Sequence, residues 1–164
     1  MVYEIERRFR IERPPLPFLA GAETWNITQT YCSNGTRVRR IEQNGVSRYI
    51  LTYKRDVTAL TRIEEESEIS ASDYLTCLRD ASADAATLRK TRYRIPWDGH
   101  VFEIDLFAEL PTVLMEVELK SEDEPFTLPP FVRVIDEVTE DPRWRNAALA
   151  RALKRTEHRE RNQE

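Results

Sequence analysis

Charged side chains recur at every second position in at least six segments of this chain, and the positions between them are largely apolar. In the first segment, Glu4, Glu6 and Arg8 alternate with Ile5 and Phe9. Because successive residues of a strand point to opposite faces of a sheet, this period of two predicts strands that are charged on one face and apolar on the other. We predict eight strands, near residues 2–12, 25–32, 35–43, 47–55, 60–70, 87–95, 100–108 and 113–120.

Short turn sequences between these segments predict antiparallel neighbours. Asn34-Gly35, Asn44-Gly45 and Asp98-Gly99 each lie between two predicted strands, and such pairs favour tight hairpins because both residues tolerate φ > 0. Eight mostly antiparallel strands in a chain of 164 residues predict closure, because a closed sheet has no exposed edge. The predicted fold class is mainly antiparallel β (α+β), a closed eight-stranded barrel with a few helices packed outside.

Two irregular stretches interrupt the strands without marking a second domain. Residues 14–17 (PPLP) and 121–130, rich in acids and prolines, disfavour both helix and strand. Neither stretch is flanked by enough chain for another core, so we predict a single domain over residues 1–164. Its last residues, 155–164, form a polar tail that we expect to fray.

Two helices are predicted outside the barrel. The first begins after Ser72 as N-cap and directs Leu75 and Leu78 towards the core. The second begins at Asp141 and Pro142, an N-cap followed by proline at the first helical position.

Composition excludes several classes of protein. A net charge of −4 and a pI near 5.4 argue against binding to a nucleic acid polymer, so any polyanionic substrate requires a local concentration of positive charge. Cys32 and Cys77 have neither the number nor the spacing of a disulfide framework or a zinc site, and are expected to be reduced thiols. Without a signal peptide or an apolar run of about 18 residues, the protein is expected to be cytoplasmic, with no membrane partner.

The charged strand faces have two explanations. They either face water on an open scaffold sheet, which periodicity alone allows, or line the inside of the barrel. Like charges are grouped, as in Glu64 with Glu66 and Arg37 with Arg39, whereas a solvated face usually mixes signs because opposite neighbours stabilise each other. Buried acids and bases need compensation, which a divalent cation and phosphate oxygens would supply. The grouping therefore favours a cavity for a metal-bound polyphosphate.

The order of these motifs resembles the CYTH family, also called triphosphate tunnel metalloenzymes. The opening EIERRF (Glu4–Phe9) is similar to the ExExK signature of the family, with Arg8 in place of the signature Lys. The resemblance spans about residues 2–150 and continues through Gln29, RVR (Arg37–Arg39), LTYK (Leu51–Lys54), RIEEE (Arg62–Glu66), LRKTRY (Leu88–Tyr93), FEIDLF (Phe102–Phe107), MEVEL (Met115–Leu119) and EVTEDPRWRN (Glu137–Asn146). It implies a charged tunnel that hydrolyses a phosphoanhydride bond of a triphosphate, with inorganic tripolyphosphate as the expected substrate.

The resemblance also implies roles for individual residues. The implied metal ligands are Glu4, Glu6, Glu116 and Glu118, with Glu103 and Asp105 as nearby candidates, and the implied metal is Mg²⁺ or Mn²⁺. The implied phosphate-binding bases are Arg8, Arg37, Arg39, Lys54, Arg62, Lys90 and Arg92. The implied catalytic residues are Lys90, Arg8 and Glu64, and Lys90 would stabilise the transferring phosphoryl or leaving group. Arg8 keeps the positive charge of the signature Lys but is effectively never deprotonated, so a phosphate-binding role is retained.

A charged tunnel of this kind also suits other functions. Within the family, a class IV adenylyl cyclase or a thiamine triphosphatase would use a similar tunnel. Outside enzymes, a polyphosphate- or nucleotide-binding module would bind the same ligands without releasing phosphate. The expected partner is in each case a small anionic triphosphate, and the protein is expected to be a monomer or a homodimer.

Overall fold

The computed structural model describes residues 2–163, and within that range nine strands form one sheet. The strands are β1 (Val2–Ile11), β2 (Glu23–Tyr31), β3 (Arg37–Gln43), β4 (Val46–Asp56), β5 (Thr61–Ile69), β6 (Leu88–Trp97), β7 (His100–Phe107), β8 (Val113–Leu119) and β9 (Val134–Glu137). Their hydrogen-bonded order is β5-β4-β3-β2-β6-β7-β8-β1-β9, and β1 also pairs with β5. That last pairing closes eight antiparallel strands into a barrel, as predicted, and β9 is an addition.

One edge of β1 is shared between two strands. Residues 2–5 pair with β5, and residues 9–11 pair with β9. Between these two regions the backbone N–H of Arg8 donates to Thr139 Oγ1 at 3.0 Å, just beyond β9. The other edge of β1 pairs with β8 over residues 5–11, so β9 completes the barrel where β5 ends.

Two of the three predicted hairpin turns have the expected backbone. Asn44 and Gly45 have φ of 50° and 76°, and Asp98 and Gly99 have φ of 46° and 78°. Two consecutive positive φ angles match the right-handed twist of the flanking strands. At the third turn only Gly35 has a positive φ, 84°, because five residues join β2 to β3.

The outer face of β1, β6, β7 and β8 carries the largest core. Its residues alternate with the charged ones, and the irregular segment 120–133 covers it. The fully buried members are Phe102, Ile104, Met115 and Val117, and the covering side chains include Phe126, Leu128 and Phe131. The predicted irregular stretch at 121–130 is confirmed, and its side chains cover this core.

The helix over the opposite side of the barrel begins earlier than predicted. Besides the short α1 (Leu16–Leu19), the structure has α2 (Ala71–Leu78), whose N-cap is Ser70, not Ser72. With that start, Tyr74 and Leu78 pack on the barrel and Leu75 falls on the water side, where it is 59% exposed. The predictions for Ser72 and Leu75 are therefore wrong, because burial of the Tyr74 ring sets the phase of the helix.

The last helix also departs from the prediction. Asp141 caps a 3-10 turn over Pro142–Trp144, and α3 (Asn146–Arg161) follows after an extended residue at Arg145. The segment from residue 155, predicted to fray, is helical as far as Arg161. His158, Arg159 and Arg161 lie in its last turn, where positive charge stabilises the helix dipole.

One end of the barrel is filled by apolar side chains beneath α3. Leu88, Phe107 and Leu114 come from the ends of three strands, and Leu149 and Ala150 of α3 pack against them. Helix α3 is thus anchored directly over the interior of the barrel.

The two cysteines form no disulfide. Cys32 is buried, Cys77 is half-buried, and both thiols are free. Across residues 2–163 no helix has the length and apolar character needed to span a bilayer.

Candidate active site inside the barrel

A cavity of about 610 Å³ occupies the interior of the barrel. It is lined by every residue that the sequence assigned to the site except Asp105, namely Glu4, Glu6, Arg8, Arg37, Arg39, Lys54, Arg62, Glu64, Lys90, Arg92, Glu103, Glu116 and Glu118. Over the described residues, ten basic and eight acidic side chains line it, although the whole chain carries a net charge of −4. Positive charge is therefore gathered inside the barrel. The inner-face interpretation of the alternating charges is correct, and the open-sheet alternative is excluded.

Arg8 lies between two carboxylates of the cavity. Strand pairing places it opposite Glu116, and its Nε donates to Glu116 Oε1 at 2.9 Å, while its Nη2 donates to Glu6 Oε1 at 2.6 Å. Burial would lower the pKa of Arg8, but Glu116 and Glu6 more than offset this and raise it. Burial would likewise raise the pKa of Glu116, but Arg8 and Arg92 hold it well below its usual range. Arg8 and Glu116 therefore remain charged.

The acids beside this pair carry excess negative charge. Glu6 lies opposite Glu118 across β1 and β8. Burial, followed by the charge of Glu116, raises the pKa of Glu6 to about 7, and burial together with Glu4 and Glu103 raises the pKa of Glu118. The carboxylate of Glu118 forms no hydrogen bond or ion pair with any residue from 2 to 163. Such a group of carboxylates has the donor type that suits a divalent cation, and its members repel one another.

These acids are not yet arranged as a metal-binding group. Within residues 2–163, no three acid, His or Cys side chains are gathered as a set that could hold an ion. Most of these acids are instead paired with bases: Glu4 with Lys54 at 2.5 Å, Glu6 and Glu116 with Arg8, and Glu103 with Arg92. The chemistry of these residues fits a hard cation, and bases that turned to a bound anion would release the carboxylates.

Lys90, Arg92 and Asp105 form the most buried ionic cluster. Lys90 Nζ donates to Asp105 Oδ2 at 2.7 Å, and Arg92 donates to both Asp105 oxygens at 2.7 and 2.8 Å. Burial lowers the pKa of Lys90 to about 8, against the opposing effect of Asp105. For Asp105, burial would raise the pKa, but Arg92 and Lys90 lower it. Asp105 thus lies behind the two bases rather than at the cavity surface.

Arg37 and Arg39 offer unused hydrogen-bond donors. Arg39 Nη2 donates to Glu66 at 2.7 Å, and Arg37 Nη2 is 3.5 Å from Thr52 Oγ1. Burial, followed by the neighbouring charge of Arg37, lowers the pKa of Arg39 to about 10, so it stays charged at neutral pH. The Nε atoms of both arginines are buried and have no acceptor among residues 2–163. An unpaired buried donor costs about 1–3 kcal/mol, which an anionic oxygen would relieve.

Lys54 and Arg62 complete the basic side of the cavity. Lys54 Nζ lies between Glu4 and Glu64, 2.9 Å from the Glu64 carboxylate. Burial would raise the pKa of Glu64, but Lys54 lowers it, so Glu64 is a charged partner of that lysine. Arg62 Nε lies 2.9 Å from Asp56 Oδ1, and Arg145 Nη1 donates to the other oxygen, Asp56 Oδ2.

Several residues line the cavity that the sequence did not mark as site residues. Tyr31, Arg145, Asn146 and Arg151 all line it, and three of them come from α3 or the residue before it. The motif EVTEDPRWRN includes two of these, but no period of two marks them because they do not lie on a strand. The motif itself was the only signal that could have drawn attention to them.

A closed antiparallel barrel whose interior carries alternating acids and bases defines the class of triphosphate tunnel proteins, the CYTH fold. The chain is 34% identical over 158 residues to an inorganic triphosphatase of Nitrosomonas europaea, which covers 92% of this chain and 98% of that protein. It is 28% identical over 152 residues to an inorganic triphosphatase of Acetivibrio thermocellus, with 90% and 93% covered. The chain belongs to the inorganic triphosphatase family within this class.

A solved structure supports the same relationship. The crystal structure of an inorganic triphosphatase superposes with a TM-score of 0.58 at 30% identity, and the match covers 92% of this chain and 96% of that one. A Pyrococcus horikoshii protein, at 19% identity and a TM-score of 0.53, shares the fold. No family model matches the chain.

Proposed function

We propose that this protein hydrolyses inorganic tripolyphosphate inside the barrel, releasing orthophosphate and pyrophosphate. The observation that carries the proposal is the pair of buried, unpaired Nε donors of Arg37 and Arg39 in a cavity richer in bases than in acids. Two relatives named as inorganic triphosphatases, matched over nearly their whole length, support the same substrate.

The side chains of the cavity would act by binding and by electrostatic stabilisation, which is most of what phosphoryl transfer requires. Arg37 and Arg39 would hold non-bridging phosphate oxygens through their fork of N–H donors. Arg8 and Lys90, both charged, would stabilise negative charge that develops on the transferring phosphoryl group or the leaving group. Glu64 would keep Lys54 directed into the cavity through their 2.9 Å contact.

A divalent cation is also part of the proposal. Glu6 and Glu118, with Glu4, Glu116 and Glu103 nearby, would hold Mg²⁺ or Mn²⁺, and the ion would polarise phosphoryl oxygens and neutralise their charge. This assignment is supported by the position of Glu6 opposite Glu118 across β1 and β8, and by their raised pKa values, to which burial contributes most and the neighbouring acids add. Asp105 is better placed as a counter-ion for Lys90 and Arg92, since both of its oxygens already accept from them.

An inorganic substrate is favoured over a nucleotide or a thiamine ester by the surroundings of Trp25. This is the one tryptophan among residues 2–163 that lines the cavity, and the guanidinium groups of Arg48 and Arg94 lie over its ring at 5.6 and 4.8 Å from the centroid. A base or thiamine ring would have to displace these cations in order to stack there. The cavity therefore offers more to phosphate oxygens than to an aromatic group.

The test is phosphate release from tripolyphosphate, ATP and thiamine triphosphate, with and without Mg²⁺ or Mn²⁺. We expect metal-dependent release that is fastest with tripolyphosphate, and a loss of at least about 100-fold in Glu4→Gln, since Glu4 is placed among the metal-binding acids. Glu65→Gln is the matched control, because Glu65 is exposed on the outer face of the same barrel. Equal turnover of all three substrates would contradict the substrate assignment, and tight binding without release would indicate a binding module.

The proposal extends to location and assembly. We propose a cytoplasmic enzyme, in keeping with two free thiols, acting as a monomer or homodimer. Cell fractionation and size-exclusion chromatography with light scattering would measure both properties.

A further inference from the structure

We propose that Asn146, the first residue of α3, is a positioning residue that orients the amine of Lys90 towards the substrate. The inference rests on the proposed function, in which Lys90 contacts the triphosphate. It assigns to α3 a role in the chemistry beyond covering one end of the barrel.

The contacts of Lys90 leave a single direction for a ligand. Its Nζ donates to Asp105 Oδ2 at 2.7 Å and to Asn146 Oδ1 at 2.9 Å. An ammonium group has three N–H donors, so two are engaged by the protein and the third is left for a phosphate oxygen. Lys90 lines the cavity although it is almost fully buried, so that third donor has access to a bound anion.

The orientation of the Asn146 amide is fixed by a second donor. Gln29 Nε2 donates to the same Oδ1 at 3.0 Å and also to the Tyr31 hydroxyl at 3.1 Å. Both donors require an oxygen at that position, so a flip of the amide would place its NH₂ group against Lys90 and Gln29. Asn146 and Gln29 are both buried, which limits exchange with water.

Asp105 cannot set the direction of the amine alone. Its Oδ2 also accepts from Arg92 Nη2 at 2.8 Å, so this carboxylate attracts Lys90 towards Arg92. A lysine side chain has four rotatable bonds, and a single acceptor leaves its remaining donors free to rotate. Asn146 supplies a second acceptor from a different element, a helix anchored by Leu149 and Ala150.

The neutrality of Asn146 also matters. A second carboxylate beside Lys90 would cancel more of its charge and would repel an anionic substrate. An amide oxygen fixes the amine without adding negative charge. The residue type at position 146 therefore suits orientation rather than charge compensation.

The experiment measures kcat and KM for tripolyphosphate in three single variants. We expect Asn146→Ala to lower kcat by about 10- to 100-fold, with KM changed by less than about threefold, because a misdirected catalytic group weakens the transition state more than the ground state. Asn146→Asp keeps the acceptor but adds charge beside Lys90, so we expect a raised KM and a kcat between those of the wild type and Asn146→Ala. Leu153→Ala is the control, because Leu153 lies on α3 and packs against the apolar cluster at the end of the barrel, and we expect a lower Tm with an unchanged kcat.

A double variant separates positioning from general damage. If Asn146 acts through Lys90, Asn146→Ala should cause no further loss of kcat in a Lys90→Met background. Losses that multiply in the double variant, or an equal fall of kcat in Leu153→Ala, would overturn the inference. If the wild type hydrolyses tripolyphosphate and Asn146→Ala has the same kcat, the inference about Asn146 is overturned but the proposed function stands. If the wild type releases no phosphate, the proposed function is overturned and the inference with it. If Asn146→Ala does not fold, Asn146→Asp decides: because it keeps the acceptor oxygen, a kcat that falls as far as in Lys90→Met would overturn the inference, and a smaller fall would support it.

Discussion

Replacement of Asp105 by Asn tests whether this carboxylate is a structural counter-ion. The side chain is 1% exposed and accepts three charge-assisted hydrogen bonds from Lys90 and Arg92, at 2.7, 2.7 and 2.8 Å. The amide of Asn has nearly the same size but no charge. The variant therefore leaves two buried cations side by side without the anion that compensates them.

The size of the effect follows from burial. Removing one partner of a buried ion pair costs about 3–5 kcal/mol, and 1 kcal/mol lowers the Tm of a protein of this size by about 2–4 °C, so the Tm should fall by about 6–20 °C. Glu103→Gln is the matched control on the same strand and the same face. Its side chain is 26% exposed and lies 3.2 Å from Arg92 and 3.3 Å from Arg94. A more exposed pair is worth about 1 kcal/mol or less, so the control should lose at most about 4 °C.

The assay is thermal unfolding by calorimetry in the presence of EDTA. Chelation separates the two roles considered for Asp105, since a metal ligand would affect the Tm only when metal is bound. The counter-ion role predicts the full loss without metal. A Tm within about 2 °C of the wild type in EDTA would refute the reasoning, because such a change corresponds to at most about 1 kcal/mol.

Two further predictions concern binding and helix stability. Arg39→Gln should weaken tripolyphosphate binding by about 10- to 100-fold in titration calorimetry, since a hydrogen bond from a charged donor is worth about 1.5–3 kcal/mol. The outward-facing Arg40→Gln should bind normally, and equal losses in both variants would contradict the assignment of Arg39 to the site. Ser70→Ala should lower the unfolding free energy by about 1 kcal/mol in urea titration, because its hydroxyl caps α2, whereas Ser72→Ala should have little effect. The reverse order would show that α2 begins at Ser72.

The interior of the barrel could be predicted from sequence because strand periodicity alone sorts residues between two faces. Once Glu4, Glu6 and Arg8 were placed on one side of β1, the motifs of the other strands could be placed by the same rule. Period two does not reveal depth, however. Asp105 has the same spacing as Glu103, yet only the packing of Lys90 and Arg92 places it behind the cavity surface.

The features that sequence reasoning missed depend on tertiary contacts. Ser70 and Ser72 are both good N-caps, and burial of Tyr74 against the barrel decides between them. Strand β9 lies mostly exposed beside β1 and lacks an apolar alternation, so no local pattern marks it. Asn146 reaches Lys90 only because α3 packs across the end of the barrel.

The divided edge of β1 has a consequence for how the protein is made. The strand that carries Glu4 and Glu6 is synthesised before the other strands of the barrel, but the hydrogen bond from Arg8 to Thr139 spans 131 positions. During synthesis, the last partner of β1 therefore emerges from the ribosome long after β1 itself, and such distant pairings slow folding. Until then its apolar side, including Phe9, lacks the cover it has in the finished barrel, a period in which nascent chains are prone to aggregate. The cavity is thus enclosed only after β8 has been made, and a chain interrupted before Val134 would leave residues 9–11 of β1 unpaired along one edge.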